Sequence, residues 1–150
     1  MCGLLGMLAA TGNVDKYVNA LERSLPCMRH RGPDAAGTWH DGDAAFGFNR
    51  LSIIDLEHSH QPLRWGPEDE PDRYAMTFNG EIYNYVELRE ELKGLGYTFH
   101  TEGDGEPIVV GYHHWGKDVV NHLRGMFGIV IWDTHTKTMF AARAVSYTHL

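Results

Sequence analysis

A cysteine stands at position 2, followed by a glycine and an apolar run, in "MCGLLGMLAA". A thiol attacks a carbonyl carbon as the thiolate, so it needs a base close by. If Met1 is removed, Cys2 carries that base itself. An α-amino group titrates at about 7.7–8.0, near working pH, where a general base is most effective. Amine and thiol then share one residue, and a single water can relay the proton. Taken alone, Cys2 is better explained as a buried structural thiol, because free cysteine is among the most buried residue types.

Such a nucleophile needs donors for the oxyanion it creates. The stretch "FNGEIYN" offers the Asn79 side-chain amide and the unhindered N–H of Gly80. Judged singly, the pair is an ordinary Asn-Gly turn. An amino-acid substrate also needs a cation for its carboxylate and anions for its ammonium. Arg50, in "FNRLSI", follows a strand pattern and can grip a carboxylate with two parallel hydrogen bonds. Glu81 and Asp104 each come just after an apparent strand. Surface charge, or a helix cap for Asp104, explains each one on its own.

The chain holds 10 histidines, with pairs at His58-x-His60 and His113-His114. Neither pair has a third ligand at matching spacing, so no metal is expected. His113 and His114 read as helix-surface residues. No Gly-x-x-x-x-Gly-Lys-Ser/Thr loop is present, so ATP is not bound by that device.

The elements that must position these residues follow from periodicity. "GLLGMLAA" reads as a buried strand ending in a turn. Val14 to Met28 reads as an amphipathic helix capped by Asn13, with Pro26 near its end. "RHRGPDAAG" is a polar loop. "GTWHD" and "AAFGFNRLSI" form a strand pair across Gly42-Asp43. "DLEHSHQPLRWGPEDEPDR" is a long loop. "YAMTFNG" alternates as a strand and turns at Asn79-Gly80. A helix follows, with Asn84 and Glu87 in a capping-box arrangement and Gly96 at its end. "YTFHT" is a short strand, "DGEPIVVGYHHWG" a third helix with Pro107 in its first turn, and "FGIVIWD" with "TMFAAR" a final strand pair. Hairpins mixed with helices predict an α+β layered sandwich.

Bulk properties bound the function. At 150 residues the chain suits one domain that needs no disulfide or metal staple. Its formal net charge of -7 and the lack of a Lys/Arg-rich run argue against nucleic acid or a polybasic membrane anchor. Nothing approaches the ~20 apolar residues of a membrane span. Two cysteines make no disulfide framework, so a reduced, cytoplasmic setting is expected.

In order along the chain stand "MCGLLG", "RHRGPD", "RLSIID", "QPL", "NGEIYN", "TEGDGE" and "LRGMFGIVIWD". Together they resemble the glutaminase domain of class II glutamine amidotransferases, which are N-terminal-nucleophile hydrolases. "RHRGPD", "RLSIID" and "FNGEIYNYVELREEL" are most similar to the glutamine-hydrolysing asparagine synthases. The resemblance implies a four-layer α-β-β-α sandwich of antiparallel sheets. It also implies roles: Cys2 as nucleophile, Asn79 and Gly80 as oxyanion hole, and Arg50 on the glutamine α-carboxylate. Glu81 and Asp104 would take the α-ammonium. The backbone around Leu51 and Ile53 would line the pocket, and Arg31 and Asp34 would support the site.

The substrate implied is L-glutamine, and no cofactor is expected in this domain. ATP and magnesium belong to a covalently linked C-terminal synthetase domain, which would amidate aspartate. A homodimer is an open expectation. The alternatives are a class II glutaminase with a different ammonia acceptor and a non-catalytic glutamine-binding module. The resemblance covers residues 1–143. From 144 to 150 the chain reads "AVSYTHL" where the family pattern continues into Asp and a glycine-containing turn, as a fragment or an erroneous join would.

Overall fold

A computed structural model describes residues 2–11, 13–53 and 60–145. The described elements are β1 (Gly3–Leu8), α1 (Asp15–Ser24), β2 (Ala35–His40), β3 (Ala44–Arg50), β4 (Leu63–Trp65), β5 (Tyr74–Ile82), α2 (Tyr85–Gly94), α3 (Glu106–Trp115), β6 (Gly125–Asp133) and β7 (Thr138–Arg143). They build two antiparallel sheets, ordered β1-β3-β2 and β4-β5-β6-β7.

Strand alternation explains how these elements stack. On β3, Ala45 faces α1 and packs with Val14 and Leu21. Its neighbours Ala44 and Phe46 face the other way and meet Ala75 and Trp132 of the second sheet. On β5, Tyr74, Met76, Phe78 and Ile82 turn to the helices and pack with Leu88, Leu92, Ile108 and Val109. The result is α1, first sheet, second sheet, then α2 with α3. These are the four layers that the resemblance implied. Gly47 permits the close seat of α1: a Cβ there would stand 2.7 Å from the Leu21 side chain.

Several local expectations are corrected. The long loop contains a strand, β4, which pairs Leu63 with Met76 and Trp65 with Tyr74. Its three residues are too few for periodicity to reveal. β5 does not turn at Asn79-Gly80 but runs through to Ile82. Gly80 has φ 151°, and a Cβ there would collide with the Met126 carbonyl oxygen, so the glycine serves close strand passage.

"YTFHT" is not a strand. The N–H groups of His100 and Thr101 bond the Glu106 carboxylate instead. α1 ends at Ser24, and Pro26 lies in a 3₁₀ turn, Leu25–Met28. Asn84 makes no capping box. Its side chain bridges the His122 carbonyl and the Arg124 N–H. His113 is half-buried against Trp65 and bonds the Tyr74 hydroxyl at 3.1 Å, while His114 is exposed on the helix surface as expected. The N-cap of α1 is Val14 rather than Asn13, which stands one residue earlier and accepts from the Asp15 N–H at 2.7 Å.

Met1, His58 and residues 146–150 lie outside the described residues. The expectations about N-terminal processing, the His58-x-His60 pair and most of the divergent tail fall on them.

Candidate active site

The site is assembled by the same alternation. β1 pairs with β3 from Gly3↔Asn49 onward, so one further step sets Cys2 opposite Arg50. Both then share the face of Phe46 and Phe48, turned to the second sheet. On β5, Asn79 shares the face of Ala75 and Thr77, turned back toward the first. Residues 77 apart in sequence therefore meet: the Cys2 N–H donates to Asn79 Oδ1 at 2.9 Å.

The sulfur is held by the residue after Arg50. The Leu51 N–H donates to Cys2 Sγ at 3.3 Å, and the thiol reaches the Leu51 carbonyl at 3.7 Å. Arg31 Nε–H donates to the Cys2 carbonyl oxygen at 3.0 Å. Asp34 ties the same segments together. Its carboxylate accepts from the Ser52 N–H at 2.7 Å, and its own N–H donates to the Arg50 carbonyl at 3.0 Å. The "RHRGPD" and "RLSI" stretches are thus one hydrogen-bonded cradle around Cys2.

β5 offers two donors at consecutive positions. With Oδ1 engaged by Cys2, the Asn79 amide keeps its N–H groups for another acceptor. Gly80 offers its backbone. Tyr83 N–H bonds the Arg124 carbonyl, and Thr134 N–H bonds the Arg73 carbonyl, so odd residues of β5 address β6. Antiparallel pairing turns the even residues the other way. Tyr74 and Met76 find β4 there. Beyond them the Phe78 N–H bonds Gln61 Oε1, and the Ile82 N–H bonds Asp104 Oδ2. Gly80 lies between, with its N–H on the side where β4 has ended.

Arg50 and Asn79 are buried, whereas Glu81 is exposed and Ile53 is 71% exposed. Burial pushes the Asp104 carboxyl above the usual carboxylate range. The Ile82 N–H works against that rise, and the Glu81 charge adds to it. Direct contacts link Cys2 with Asn79, Leu51 and Arg31, while Asp104 joins through Ile82 on β5.

A cleft of about 520 Å³ opens beside the thiol, walled by Leu4, Met28, Arg31, Asn79, Val130 and Ala141. Arg50, Glu81 and Asp104 are not among its walls. Among the described residues, no three His, Cys, Asp or Glu side chains converge as a metal site would need.

Gln61 is a site residue that sequence reasoning passed over. Its amide accepts from the Phe78 N–H at 2.7 Å and donates to the Phe78 carbonyl at 3.1 Å. It fixes the backbone one residue before Asn79. The only signal was its place in the "QPL" motif, because a side-chain bond to a distant backbone leaves no periodicity.

Comparison with known proteins fits this geometry. Residues 1–145 match the glutamine amidotransferase domain. A Mycobacterium tuberculosis protein, provisionally named a glutamine-hydrolyzing asparagine synthetase, is 56% identical over 95% of this chain and 24% of its own length. Asparagine synthetase (glutamine-hydrolyzing) 1 of Bacillus subtilis is 42% identical over 95% of this chain and 22% of its own. The chain thus spans about a quarter of the length of these curated relatives. Among solved structures, the glutamine phosphoribosylpyrophosphate amidotransferase of B. subtilis superposes with a TM-score of 0.67 at 19% identity. That structure covers 95% of this chain, which covers 36% of it in return, and the likeness extends to the fold. With Cys2 held between two sheets, donors beside it and this match along nearly its whole length, the chain belongs to the glutamine amidotransferase domain family.

Proposed function

We propose that the chain is the glutaminase domain of an asparagine synthase. The observation that carries the reading is the bond between the Cys2 N–H and Asn79 Oδ1, which joins the nucleophile to the strand of the oxyanion donors. Once Met1 is removed, the α-amine accepts the thiol proton through a water. The Cys2 thiolate attacks the side-chain amide carbon of glutamine, and the C=O electron pair moves onto oxygen. That oxyanion is held by the Asn79 amide and the Gly80 N–H.

The protonated α-amine returns a proton to the amide nitrogen. The C–N bond breaks, ammonia leaves, and a γ-glutamyl thioester remains on Cys2. Water, deprotonated by the same amine, attacks the thioester and releases glutamate. Arg50 holds the α-carboxylate, and Asp104 with Glu81 holds the α-ammonium. The Leu51 and Ile53 backbone lines the pocket.

The cleft beside Cys2 serves as the ammonia exit, walled largely by apolar side chains. The greater length of the relatives supports a linked C-terminal domain that amidates aspartate with ATP and magnesium. The domain itself needs no cofactor, works in the cytoplasm, and is compatible with a homodimeric enzyme. Among the described residues no helix is long and apolar enough to cross a membrane.

The test is glutamate release from glutamine by the purified protein with its first residue defined by mass. Cys2→Ala is expected to abolish release, by at least about 10⁴-fold. Equal release by both proteins would sink the nucleophile assignment. Binding of glutamine without release by either would favour a non-catalytic binding module.

A further inference from the structure

Two buried charges outside the catalytic constellation grip one loop, one by its carbonyls and one by its donors. Arg89, on α2, is 4% exposed, and Glu106, at the start of α3, is 2% exposed. Arg89 Nη1 donates to the Thr101 carbonyl at 2.5 Å and to the Glu102 carboxylate at 2.8 Å. Its Nη2 donates to the Gly103 carbonyl at 2.6 Å. Glu106 takes the donors of the same loop: the His100 N–H at 2.9 Å, the Thr101 N–H at 2.7 Å and the Thr101 hydroxyl at 2.8 Å. Residues 100–103 form neither helix nor strand. The N–H groups of His100 and Thr101 and the carbonyls of Thr101 and Gly103 bond these two side chains instead.

A buried guanidinium and a buried carboxylate are costly to desolvate and tolerable only when fully hydrogen-bonded. Holding a surface turn does not call for them. Position 104 does. The residue that follows the clamped stretch is Asp104, whose carboxylate reaches β5 at the Ile82 N–H, 3.0 Å away and two residues past Gly80. The Arg89 fork spans the carbonyls of Thr101 and Gly103 with its two nitrogens, a geometry that a lysine ammonium does not reproduce.

We infer that Arg89 and Glu106 are positioning residues for glutamine selection. They fix the 100–103 backbone so that Asp104 stands where the substrate α-ammonium arrives. This rests on the proposed role of Asp104. Neither residue touches the reacting atoms, so their loss falls on recognition rather than on thiol chemistry.

The experiment compares wild type with Arg89→Lys, Arg89→Met, Glu106→Gln, Asp104→Asn and the Arg89→Met/Asp104→Asn double variant. It measures kcat and KM for glutamine. It also measures the rate at which iodoacetamide, which has no α-ammonium, alkylates Cys2. That rate is read by mass on the Cys2 peptide, because Cys27 is an exposed second thiol.

Arg89→Met is expected to raise KM about tenfold with a much smaller change in kcat. Arg89→Lys and Glu106→Gln raise it less, and Cys2 alkylation is unchanged. The double variant is no worse than Asp104→Asn alone. If Arg89→Met does not fold, Arg89→Lys and Glu106→Gln decide.

An unchanged KM in the clamp variants, with a raised KM in Asp104→Asn, overturns the inference alone. An unchanged KM in Asp104→Asn overturns the underlying reading of that residue. Equal losses in kcat, KM and alkylation rate would show a merely structural role.

Discussion

Facing the helices, β5 presents Tyr74, Met76, Phe78 and Ile82; facing the first sheet, it presents Ala75, Thr77 and Asn79. The helix side is large and apolar and continues through Phe127, Ile129 and Ile131 of β6. The sheet side carries small or polar residues, and its buried polar groups include Thr77, Asn79 and, from β3, Arg50. One strand thus separates two tasks. Burial on one face fixes its position, and that fixed position lets the other face hold polar groups where a substrate can use them.

The comparison can be broken most forcefully at Ile131, which is fully buried on the helix side. Ile131→Ala is expected to destabilise the protein by about 4 kcal/mol through lost burial and an unfilled cavity. Chemical denaturation measures it, and kcat of the folded fraction should be close to wild type. Asn79→Ala is the counterpart on the other face. It should lower kcat by about 10²–10³, equivalent to about 2.7–4 kcal/mol of transition-state stabilisation. Its denaturation midpoint should move far less than that of Ile131→Ala. If the two variants exchange these signatures, the faces do not divide the work as described.

A smaller effect sharpens the same contrast at Asp104. Burial raises its carboxyl pKa in the folded protein. The stability tied to this group is therefore complete below the unfolded pKa and is lost as pH rises through the folded one. Asp104→Asn removes that loss, so thermal melts at neutral pH should show a modestly more stable unliganded protein with a poorer KM. In wild type, KM should rise on acidification before ordinary carboxylates protonate. A KM that stays flat until the usual carboxylate range would separate Asp104 from ammonium recognition.

Much of this was legible in the chain. Alternation in "YAMTF" marked β5, helical spacing marked α1 and α2, and Pro107 in a first turn marked α3. The ordered motifs named the residues that now surround Cys2. What stayed hidden shares one physical trait. Gln61 on Phe78, Asn84 on His122 and Arg124, and Glu106 on His100 and Thr101 are side chains satisfying backbone groups. Periodicity records which face a side chain takes, not which backbone it completes. For the same reason "YTFHT" looked like a strand. Its composition suits a sheet, but its N–H groups are taken by a carboxylate.

The outer edge of β5 has a further consequence. An unpaired strand edge invites another strand to add to it, with aggregation as the usual cost. Past β4 this edge is closed at Phe78 by an amide and at Ile82 by a carboxylate, each acting as a one-residue forgery of a neighbouring strand. The gap between them is one rung wide, too short for a passing peptide to dock. On the proposed mechanism a single oxygen atom fills it, and only while it carries negative charge. Glutamine in its transition state is, in that sense, the missing rung of the sheet.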